Sequence, residues 1–194
     1  RPEVFNTAKE VVTLFLVLFS LGVGAGSYFC SRLLKSEISI VYVPVSAIGL
    51  SVFAFCVYLL SAGFTTPEKA LSVMQFLCMP RGIMLALCLF GFAFMGGLYV
   101  VPLNALMQKK APKNNVASVI AGNNIINSLG MVAISIFAMI LIALGFKITD
   151  LFLFIAIISA GVAFYICKLL PDALVRSVFC SVLNLFFRVK VEGV

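Results

Sequence analysis

Uncharged, mostly apolar stretches run from Val11 to Ser31, Ile38 to Pro67, Gly82 to Gln108, Asn114 to Phe146 and Leu151 to Cys167, with charged residues confined to the segments between and flanking them. A helix rises 1.5 Å per residue, so about 20 residues cross a hydrocarbon core about 30 Å thick, and about 17 is the lower limit. Four stretches exceed that width. The fifth reaches it when Lys168 extends its ammonium group to the headgroup layer. The pattern predicts five transmembrane helices over residues 10–31, 39–62, 83–107, 117–145 and 149–170, making up one bundle across 1–171. Between Lys69 and Arg81 lie 11 uncharged residues, too few to cross. There Thr65-Thr66-Pro67-Glu68 reads as a turn into a short helix with Pro67 in its first position, and Leu71, Met74, Leu77 and Cys78 suit the outer membrane surface.

After Pro171 the pattern changes. Val175, Val178, Phe179, Val182, Leu183 and Phe186 recur at spacings of three and four, opposite Ser177, Cys180, Ser181, Asn184 and Arg188. This predicts an amphipathic helix at the membrane interface within 172–194, with Arg176, Arg188 and Lys190 drawn to anionic lipid. Val189 to Gly193 alternates with period two, like the start of a strand. The chain begins at Arg1 rather than Met and stops in mid-pattern, and it reads as an excised piece without a signal peptide.

Composition supports the membrane reading. The chain is 63% hydrophobic and 11% charged, with a mean hydropathy of +1.19, whereas soluble domains carry about 25% charge. The net charge of +7 would suggest nucleic acid in a soluble protein; here its distribution over the loops sets orientation instead, and no nucleic-acid partner is expected. Arg32, Lys35, Lys109, Lys110, Lys113, Lys168, Arg176, Arg188 and Lys190 share one side, against Arg1, Lys9, Lys69, Arg81 and Lys147 on the other. The positive-inside rule makes the richer side cytoplasmic, with the N-terminus outside and the C-terminus inside. There is no histidine, and the six cysteines form no CxxC pair. No metal site, cofactor or catalytic residue is expected, and the cysteines read as small hydrophobes.

Polar and irregular positions within the spans carry the candidate chemistry. Gly22 and Gly26 make a small-xxx-small pair that admits a second helix backbone. In the third span Gly96, Gly97 and Pro102 predict a kink or local unwinding, with Tyr99, Asn104 and Gln108 nearby. Backbone freed from its ladder lines a cavity in many transporters, although ordinary membrane helices also contain proline. In the fourth span Asn123, Asn127 and Gly130 share one face at i, i+4 and i+7. An asparagine amide facing lipid costs several kcal/mol, so this face is expected to look inward, either as helix-to-helix glue or as a substrate or gate contact. No span carries an acidic residue in its interior, which leaves proton coupling without a candidate.

Three stretches resemble a known family. Gly96-Gly97-Leu98-Tyr99-Val100-Val101-Pro102-Leu103-Asn104-Ala105-Leu106-Met107-Gln108 and Val119-Ile120-Ala121-Gly122-Asn123-Asn124-Ile125-Ile126-Asn127 are similar to consecutive helices of bacterial lysophospholipid transporters of the major facilitator superfamily. The tail Phe186-Phe187-Arg188-Val189-Lys190-Val191-Glu192-Gly193-Val194 resembles the junction at which fused members pass into a glycerolipid acyltransferase of the 2-acylglycerophosphoethanolamine acyltransferase type. The resemblance implies an all-α membrane protein whose five spans correspond to helices eight to twelve of a twelve-helix carrier in the bacterial inner membrane. It also implies a lysophospholipid substrate, notably lyso-phosphatidylethanolamine. The implied partners are membrane lipid, an N-terminal helical bundle and a C-terminal acyltransferase domain of the same polypeptide. Cys30 stands where the superfamily's loop between helices eight and nine often has an Asp. On this reading Tyr99, Asn104, Gln108, Asn123 and Asn127 are cavity or gate residues, and Gly96, Gly97 and Pro102 supply irregular backbone. The alternatives are a membrane anchor for an acyltransferase and a generic small-solute carrier of the same superfamily.

Overall fold

A computed structural model describes residues 2–33, 42–62, 73–112 and 114–169, and among them every regular element is a helix: α1 (Pro2–Leu33), α2 (Val43–Ala62), α3 (Val73–Cys78), α4 (Pro80–Lys110), α5 (Val116–Ala143) and α6 (Ile148–Leu169). Five of these, all but α3, are long and apolar enough to cross a membrane. The predicted turn at Pro67, the interfacial helix in 172–194 and the alternating tail lie outside the described residues.

Helix ends extend past the apolar runs because the backbone ladder continues into the interface after the lipid-facing sequence stops. The helix predicted over 10–31 begins at Pro2, and the one predicted over 83–107 runs from Pro80 to Lys110. Pro80 opens α4 from its first position, where a missing N–H costs nothing. Lys109 and Lys110 close α4 with positive charge at the negative end of the helix dipole.

The framework is built on α4, with α1 on one side and α2 on the other; α6 packs on α2, and α3 caps the start of α4 and touches α1. A methyl group added to Gly22 would lie 2.7 Å from the Ala93 side chain, and one on Gly26 would collide with the Phe94 carbonyl oxygen. One on Gly97 would lie 2.6 Å from the Val23 carbonyl oxygen. Residue numbers rise together along this seam, so α1 and α4 run parallel. Along the other seam Gly49 meets Met95 and Gly91 meets the Phe53 ring, so α2 runs antiparallel to α4. The directions down, up and down are those of three successive spans.

Side chains complete the packing. Phe76 of α3 is buried and sits edge-on against Phe15 of α1 at 5.5 Å. Gly82 accepts the Phe76 carbonyl against its bare Cα, which lets α3 fold onto the start of α4. The buried Ser46 hydroxyl donates to the Tyr42 and Val43 carbonyls, each at 2.9 Å, so it carries no unsatisfied donor into the core. Ala47 and Ala54 of α2, and Ala156 and Ala163 of α6, are buried at i and i+7, giving each helix a smooth face of small residues.

The predicted unwinding at Pro102 does not occur: α4 is helical throughout. Pro102 lies seven residues after Met95 and so on the same face, the one that meets α2. Val43, Pro44 and Pro102 are among the largest fully buried side chains. Packing of the ring against a neighbour offsets the hydrogen bond that proline denies to the preceding turn.

Candidate functional site

The polar residues of interest lie on α4 and α5. Because α4 is unbroken, its five-residue spacing between Tyr99 and Asn104 turns them about 140° apart. Asn104 lies seven residues beyond Gly97 and shares its α1-facing side, with Gln108 one turn further on the same side. Tyr99 lies one turn beyond Met95, on the edge that borders α2. Tyr99 and Asn104 are half-buried and Gln108 is exposed. The structure thus divides the third-span candidates into two groups on different sides of α4. Gly96 faces neither seam tightly, its nearest side-chain neighbour being Leu50 at 4.0 Å from an added Cβ.

On α5, Asn123 and Asn127 do share a face. Apart from Gly122, the positions of this helix that are not exposed, Val116, Val119, Ile120, Asn123, Gly130, Ala138 and the buried Leu141, fall on one broad face, so the Asn123 side is the one turned toward the bundle. Asn127, on the same face, is exposed. This face is not closely packed at Gly130, where an added Cβ would meet nothing within 4 Å. Only 6% of the most apolar window of α5 is buried, against 33% for α2 and 22% for α4, so α5 is the least covered of the five long helices. Ser128 and Ser135 satisfy themselves by donating to the Asn124 and Met131 carbonyls at 2.9 and 2.8 Å. Among the described residues no group hydrogen-bonds the Asn123 and Asn127 amides. With the exposed Ser118 and Asn124, these two are the side chains of α5 with polar capacity to spend on something else, and Asn123 and Asn127 share one face.

The far end of α5 is held firmly. Leu141 accepts from Phe146 N–H at 3.1 Å and Ile142 from Gly145 N–H at 3.0 Å, with Gly145 at φ 92°, the left-handed value that ends a helix in this way. Asp150 then accepts from Lys147 N–H at 2.9 Å to start α6. The Phe154 ring meets Phe137 at 6.2 Å and Phe146 at 5.9 Å, both edge-on, and pins the two helices together beside the turn.

No three His, Cys, Asp or Glu side chains cluster for a metal among the described residues. Gly49, Gly82 and Gly91, which set the helix spacing, were not singled out from sequence as contacts, since nothing in a uniformly apolar helix marks which face meets a neighbour. No family model matches the chain, and neither the characterised proteins nor the solved structures searched include a match.

Proposed function

We propose that this chain is the C-terminal membrane bundle of a carrier of the major facilitator type, which moves lysophospholipid across a bacterial inner membrane by alternating access. The observation that carries the reading is the Asn123–Asn127 stripe on α5. A mainly apolar helix, whose Ser128 and Ser135 hydroxyls are satisfied within it, turns the Asn123 and Asn127 amides, with unused hydrogen-bonding capacity, along a side that the described helices cover only loosely. In hydrocarbon such a side needs a polar occupant or a second bundle. The two motifs around Asn104 and Asn123 resemble those of the lysophospholipid carriers, which supports a lipid headgroup as the polar occupant.

In this mechanism the headgroup exchanges hydrogen bonds with Asn123 and Asn127 while its single acyl chain stays against the apolar flanks of α5. The α1–α4–α2 framework, locked by its glycine seams, moves as one body against a second bundle. The nine-to-five distribution of basic residues supports a cytoplasmic C-terminus, where a fused acyltransferase would receive the lipid.

The test is inward movement of fluorescent lyso-phosphatidylethanolamine in spheroplasts expressing the chain within its longer polypeptide. Asn123→Ala with Asn127→Ala is expected to reduce uptake at least tenfold at unchanged membrane abundance. Unchanged uptake would remove the asparagines from the transport path, and absence of uptake in the unaltered protein would favour a membrane anchor.

A further inference from the structure

We infer that Cys56 and Cys88 form a cross-helix dithiol, a modification site that closes to a disulfide when a lipid-soluble quinone reaches it. The register of the α2–α4 seam brings them together. Gly49 lies against Met95, and four residues further along α2 Phe53 lies against Gly91, four residues back along α4. Three more residues in each direction bring Cys56 opposite Cys88. Each cysteine lies seven residues, two helical turns, from the Gly49–Met95 contact and so on the face of its helix that forms this seam.

Three further features favour closure. A disulfide needs Cα atoms within about 7 Å, closer than most packed helix pairs allow. Gly91, one turn from Cys88, lacks the side chain that would hold α2 away; a Cβ there would lie 2.5 Å from the Phe53 ring. Both cysteines are free and half-exposed, so a molecule dissolved in lipid can reach them, unlike the fully buried Cys30. Finally, no charged residue lies between Val43 and Ala62 or between Gly82 and Gln108. An oxidant for this pair must therefore enter through the hydrocarbon phase.

The step balances with a quinone as acceptor. The S–H bonds of Cys56 and Cys88 break, one S–S bond forms, and two electrons and two protons pass to the quinone's carbonyl oxygens to give the hydroquinone. A fully substituted ring excludes the competing addition of thiol to quinone.

The experiment uses the full chain in liposomes, treated with decylubiquinone, alkylated under denaturing conditions and weighed intact. The expected result for the wild type is a monomer with four alkylated thiols out of its six cysteines and a non-reduced peptide joining Cys56 to Cys88. Cys56→Ser and Cys88→Ala, each alone, are expected to keep all five remaining thiols alkylated. Six alkylated thiols in the treated wild type would overturn the inference. So would thiol loss that persists in either single variant, or a cross-linked peptide joining any other pair.

Discussion

A methyl group on Gly26 would collide with the Phe94 carbonyl oxygen, whereas one on Gly24, two residues away, would meet nothing within 4 Å. Adding volume to a well-packed contact costs about 1–3 kcal/mol, while replacing glycine by alanine in an open helix position gains up to about 1 kcal/mol. Gly26→Ala is therefore expected to lower the melting temperature in detergent and Gly24→Ala to hold or raise it. Equal responses would mean that α1 does not cross α4 at this point. Residue identity also shows how far sequence alone could go. The shared face of Asn123 and Asn127 follows from a four-residue spacing and needs no structure. The separation of Tyr99 from Asn104 was not readable in the same way, because proline at 102 left open whether the helix between them stayed regular. Only an unbroken α4 sends the two side chains to different neighbours.

The turn between α5 and α6 concentrates its stability in a few backbone bonds. Gly145→Ala puts a side chain where φ is +92°, and substitutions of this kind cost more than about 1 kcal/mol. Asp150→Ala removes the acceptor for Lys147 N–H, a loss of about 1 kcal/mol by analogy with other helix-start caps. Both are expected to speed amide hydrogen exchange over residues 141–150 while leaving the α1–α4 seam protected. Uniform acceleration across all helices would show that the turn and the seam unfold together. At this scale the sequence was informative about length and poor about pairing. Apolar runs located every span because hydrocarbon demands them. Lipid tails, however, are as apolar as leucine, so the face that meets another helix carries no hydrophobic signature of its own. Gly22 and Gly26 were the exception, since small residues four apart announce a close approach; Gly49 and Gly91 gave no such signal singly.

For the whole molecule, parallel α1 and α4 with antiparallel α2 require Arg32, Lys109 and Lys110 to lie at the same end of the framework. Crossing by α5, the next span after Lys110, would carry Lys147 to the opposite side of the membrane. On the proposed orientation, with a cytoplasmic C-terminus, Lys147→Cys is expected to react with a membrane-impermeant maleimide in intact cells, and Lys110→Cys only after the membrane is opened. The reverse pattern would invert the orientation, and labelling of both from outside would break the alternation of spans. A background lacking the native cysteines keeps Cys78, exposed on α3, from obscuring the reading.

The α1–α4 seam also has a history during synthesis. Helices α2 and α3 intervene between its two sides, so α1 leaves the ribosome and enters the bilayer long before its partner exists. Its backbone bonds are all internal, and lipid can fill the shallow groove over Gly22 and Gly26 without leaving a polar group unmet. The groove stays open until the chain has been made at least to Phe94, and a nascent chain halted before that point would leave the Gly22–Gly26 face of α1 without its partner, free to exchange lipids along the surface that the finished protein seals.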